Sequence, residues 1–158
     1  MDLQLSKDGL QHVIDTLKKG VKWGLVDVDM GRCLIERTGP PGCGTAGCFA
    51  GTYGAVTLLE DHGTLEVIEF DPAAGDFDYW THRVACKMLG LRFDKRDKSA
   101  DWSRMLESVL EAQPEVWGNT SGALLFVSPC AFGCDATDGN QVKIVDVVRH
   151  LEGVLARI

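Results

Sequence analysis

Apolar positions along this chain fall into blocks of two periods. Leu10, Val13, Ile14 and Leu17 recur at three and four residues, which places them on one helix face. Ser6 stands where its hydroxyl would cap that helix, and Gly20 where a helix commonly ends. LVDVDM then alternates, with Val26, Val28 and Met30 on one side and Asp27 and Asp29 on the other, the signal of a half-buried strand. Its two aspartates read as the wet face of an edge strand, with a divalent cation as the alternative. TGPPG, Thr38 to Gly42, breaks the pattern, and a helix is expected over Ala46 to Glu60. TLEVIEF reads as a second short strand. A helix starting at Asp76 or Asp78 carries Phe77, Trp80, Val84, Met88 and Leu89. Trp102, Met105, Leu106, Val109 and Leu110 give another, ending before Pro114. GALLFVSPCAFGC is a strand or a buried loop. Asp138 or Asn140 should cap a last helix with Ile144, Val145, Val148, Leu151 and Leu155 facing inward. The expected fold class is α+β: a helix-rich single domain over residues 1–158, with a small β component and a central small-residue helix.

Composition narrows the function. The chain has 158 residues, 45% hydrophobic and 25% charged, the profile of one soluble globule. Its formal net charge of −7 argues against nucleic acid, whose binders show a basic face. The densest basic group, Arg92, Lys95, Arg96 and Lys98, is interleaved with Asp94, Asp97 and Asp101. No signal peptide opens the sequence and no apolar run is long enough for a membrane span. The expected compartment is therefore the cytoplasm, where the six cysteines would be thiols or ligands rather than disulfides.

The most distinctive stretch is PPGCGTAGCFAGTYGAVTLL, Pro40 to Leu59. Thr45 is placed to cap a helix, a contribution of about 1 kcal/mol. Gly47, Gly51 and Ala55 recur every four residues, with Ala50 and Gly54 beside them. Each helical glycine costs roughly 1 kcal/mol relative to alanine, and close approach of another backbone is the usual return. The first reading is therefore a tightly packed structural helix. A second makes Cys48 a nucleophile, since the first turn of a helix favours a thiolate. It would work with His82 or His150; a third downstream histidine is His62. CGTAGCFAGTYGAV resembles the CGSCWAF stretch of papain-like cysteine proteases, but the two cysteines stand further apart and no glutamine precedes them to serve an oxyanion hole. A third reading joins Cys43 and Cys48 to Cys130 and Cys134 as four zinc ligands. Cys33 and Cys86 are left over, and Cys86 reads as a small core residue.

CGTAGCFAG also resembles the CGTxxCxAG signature of a family of small bacterial and phage proteins. Asp29-Met30 before the motif and Leu89-Gly90-Leu91 after it extend the resemblance over residues 26–92. It implies structural importance for Cys43, Gly44, Thr45, Gly47, Cys48, Ala50 and Gly51, and no particular reaction or cofactor. The expected function is a small non-enzymatic cytoplasmic protein that binds a protein partner with a basic surface, as a phage or mobile-element inhibitor of host machinery would. Neither nucleic acid nor membrane is an expected partner. The alternatives are a cysteine-nucleophile hydrolase or transferase and a zinc-stabilised module.

Overall fold

The computed structural model describes residues 3–22, 27–29, 52–54, 56, 57, 60, 76–94, 101–118 and 141–158. Helix α1 (Lys7–Lys22) begins as the sequence predicts. The Ser6 carbonyl accepts from the Leu10 amide at 2.8 Å and its hydroxyl accepts from the Gly9 amide at 3.1 Å. Leu10, Val13, Ile14 and Leu17 form its buried stripe. Gly20 does not end the helix: it is a buried residue without positive φ, and α1 runs on to Lys22.

Helix α2 (Asp76–Leu89) ends in a left-handed turn at Gly90, φ 68°. There the Leu91 amide bonds the Cys86 carbonyl at 2.9 Å and the Gly90 amide bonds that of Lys87 at 3.2 Å. Helix α3 (Trp102–Ala112) is capped by Asp101, whose carboxylate accepts from the Arg104 amide at 3.2 Å. It stops before Pro114, as expected from a residue that cannot donate to the preceding turn. Pro114 then opens a separate single turn, α4 (Pro114–Trp117), closed by Gly118 at φ 106°. Helix α5 (Ile144–Arg157) is the last of these helices in chain order.

Strand β1 (Asp27–Asp29) pairs antiparallel with β2 (Gln141–Lys143), Val28 opposite Val142. The α+β expectation is corrected here: the described part of the chain is a helical fold. Among the described residues the extended pairing is a three-residue ladder that clips two chain segments together. It is too short to form a layer with a face of its own. TLEVIEF and GALLFVSPCAFGC lie outside the described residues.

α1 is the central element, packed on α5 and on α2; α3 lies on α2, and α4 bridges α3 and α5. Their inner faces share one core, in which Leu10, Ile14, Leu17, Met88, Leu106, Trp117, Ile144 and Leu151 are fully buried. Two expectations for the last helix are corrected. Its cap position is Lys143, without a side-chain cap bond, rather than Asp138 or Asn140. Its buried stripe is Ile144, Val147, Val148, Leu151 and Val154, and Val145 is 44% exposed. With helix start and stripe offset by one position, Val145 turns away from α1. Among the described residues no helix is long and apolar enough to cross a membrane.

Candidate functional site

The described part of the distinctive stretch is its last two turns. Thr52, Tyr53, Gly54, Val56, Thr57 and Glu60 are helical, and Tyr53 and Val56 enter the core. This helix lies against α1 through polar side chains. His12 Nε2 is 2.9 Å from the Tyr53 hydroxyl, and the two rings meet edge to face at 5.8 Å. Seven residues further on, Lys19 forms an ion pair with Glu60. Both pairs join residues 41 apart in sequence. Partners that advance together must lie on helices running in the same direction, over a length of about 10 Å at 1.5 Å per residue.

Two threonines between the pairs follow the same offset. The Thr16 hydroxyl donates to the His12 carbonyl, and the Thr57 hydroxyl donates to the Tyr53 carbonyl, each at 2.8 Å. Each hydroxyl is satisfied within its own helix, so neither demands a partner across the contact. Burial pushes the Tyr53 phenol above its ordinary pKa, with the Arg83 guanidinium opposing. Burial, and then the charge of Lys87, holds the His12 imidazole below its ordinary value. Near neutral pH the contact is therefore between two uncharged groups. Its chemistry is that of a joint between helices, and it is the polar feature that sequence reasoning missed. His12 sits one position before the Val13–Ile14 pair of the apolar stripe, where a histidine reads as surface.

The residues singled out from sequence fall in three places. Cys43, Gly44, Thr45, Gly47, Cys48, Ala50 and Gly51 lie outside the described residues, as do Cys33, His62, Cys130 and Cys134. His82 projects from α2 onto Trp102 at the start of α3, ring centroids 5.8 Å apart. Its Nδ1 is buried and has no hydrogen-bond partner among the described residues. His150 lies on α5 with its ring 4.5 Å from that of Trp117. The two candidate bases thus rest on different tryptophans in different helix pairs. Among the described residues no cluster of three or more potential metal ligands occurs. Cys86 is 1% exposed, and burial raises its thiol to about 11, so it is a protonated core residue, as its sequence position suggested.

Among the described residues, the most perturbed carboxyl lies on α3. Glu107 is raised to about 7, first by burial, then by the charges of Glu111 and Asp101, with Arg104 opposing. Glu111 is one helical turn along the same face and exposed, and exposed Glu115 follows on α4. Asp101 moves the other way: bonds from the Ser103 hydroxyl at 2.8 Å and the Arg104 amide stabilise its charged form. Comparison with protein-family models, curated proteins and solved structures finds no match for this chain.

Proposed function

We propose that this protein acts by binding a protein partner through a basic surface on that partner, and that it does so without catalysing a reaction. The observation that carries the reading is one side of α3, where half-buried Glu107, its pKa raised to about 7, lies one turn from exposed Glu111, with Arg104 as the opposing charge on that side. A lysine or arginine brought to this face would favour the ionised form of Glu107 and relieve repulsion between Glu107 and Glu111. The net charge of −7 adds a long-range attraction for basic surfaces and repulsion from nucleic acid. In a phage or mobile element, such a protein would block host machinery by covering a basic surface.

The test is affinity capture from a bacterial lysate with the full chain as bait, followed by measurement of the captured protein against wild type and a Glu107→Gln/Glu111→Gln variant. The expected result is a partner with a basic surface whose affinity falls at least tenfold in the variant and in about 0.5 M salt. Binding equal in both proteins and insensitive to salt would remove the acidic face from the reading.

A further inference from the structure

Trp117 is fully buried although it belongs to a helix of one turn. So short a helix has little stability of its own, and what holds it is contact with α3 and α5. Arg157 donates from Nε to the Val116 carbonyl at 2.6 Å and from Nη2 to the Trp117 carbonyl at 3.4 Å. The His150 ring lies edge to face against the Trp117 indole, ring centroids 4.5 Å apart. Both side chains border Gly118, where a Cβ would lie 3.8 Å from His150 and 3.9 Å from Arg157.

We propose that His150 and Arg157 form an acid-released latch, which seats Trp117 while the imidazole is neutral and lets the Pro114–Trp117 turn go when the imidazole is protonated. A proton on His150 would set a second cation near the Arg157 guanidinium, in a half-buried position. An aromatic neighbour offers some compensation to an imidazolium, but the Arg157 guanidinium stands as a cation on the Val116 and Trp117 carbonyls beside it. Of the other charged groups around this corner, Glu152 pairs with Lys18 of α1, and Asp146 pairs with Arg149. Glu111 of α3, Glu115 of α4 and Lys143 of β2 are exposed. Burial, then Arg157, lowers the His150 pKa to about 4, with the Trp117 carbonyl pulling upward.

The sign follows from proton uptake. The open state takes a proton near the ordinary pKa of 6.5 and the closed state only near 4, so opening becomes more favourable as pH falls through that window. The reporters are the amides of Val116, Trp117 and Gly118, which bond back to Gln113 and Pro114. Hydrogen exchange of these amides, corrected for intrinsic rate, should show opening that rises by up to about tenfold per pH unit between about 6.5 and about 4, then levels. In His150→Gln the same amides should show no such slope. An equally steep slope in that variant overturns the latch and assigns the effect to carboxylates. Direct titration of the His150 ring by NMR in the wild-type chain gives a second reading that needs no variant. A midpoint in the ordinary range of 6 to 7, or a loss of protection that does not follow the ring signal, also overturns it.

Discussion

Helix α1 is held on two flanks by opposite means. Against α2 the contact is backbone on backbone: the Ser6 amide donates to the Met88 carbonyl at 2.7 Å, and Gly9 lies so near Lys87 that a Cβ would come 1.8 Å from its carbonyl oxygen. Against the helix containing Tyr53 the contact is made by long side chains, His12 with Tyr53 and Lys19 with Glu60. A backbone joint has no adjustable atoms, so it tolerates no added volume and is indifferent to salt and pH. A side-chain joint yields to substitution at small cost and carries groups that respond to both.

The largest expected effect tests the first joint. Gly9→Ala gains about 1 kcal/mol of helix propensity, yet its methyl group meets a carbonyl that can move only with the end of α2. A net loss of about 3 kcal/mol is expected, seen as a lower denaturation midpoint with unchanged denaturant slope. An unaltered or higher midpoint would mean that α1 and α2 are not in this close register.

A smaller effect tests the second joint. Tyr53→Phe removes the hydroxyl that His12 meets but leaves the exposed imidazole able to find water, so a loss of about 1 kcal/mol is expected in chemical denaturation. The pH dependence has a definite direction. Because His12 is held below 6.5, its neutral form is favoured by folding; that contribution is complete above pH 6.5 and declines as pH falls below it. His12→Gln should remove this part of the acid sensitivity, and a profile identical to wild type would show that the imidazole does not titrate against folding.

The smallest effect belongs to Lys19 and Glu60, which are 51% and 39% exposed. Lys19→Ala should cost no more than about 0.5 kcal/mol at low salt and nothing measurable in 1 M salt. A loss as large as that of Gly9→Ala would abolish the distinction between the two joints.

Spacing alone made much of the helical scaffold legible. The stripe of α1, its Ser6 cap, the start of α2 at Asp76 and the stop of α3 before Pro114 all depend on residues within one or two turns of each other. What sequence did not disclose depends on distant neighbours. A lone glycine early in α1 gives no sign that another backbone will cross there, and nothing near His12 announces Tyr53. Trp117 follows a proline that ends one helix, and only the packing of α5 shows that it fills the core. Val145 was misassigned because four neighbouring apolar residues, Ile144 to Val148 around Asp146, admit more than one phase until the partner helix chooses. Of the candidate site, Cys86 was read correctly, and His82 and His150 turned out to stand on separate tryptophans. The α+β expectation gave weight to alternating runs, of which LVDVDM contributes a three-residue strand.

The broad contact between α1 and α5 also governs the order of events during synthesis. Lys18 meets Glu152 across a separation of 134 residues. While a nascent chain lacks Ile144 and the residues after it, the face of α1 that α5 covers is without that partner. Closing so long a loop adds an entropic cost that grows only logarithmically with length, but such distant contacts slow the search for them. The contact between α1 and α5 can therefore form only late, and until then the part of α1 that α5 covers is a surface on which chaperones and misassembly compete.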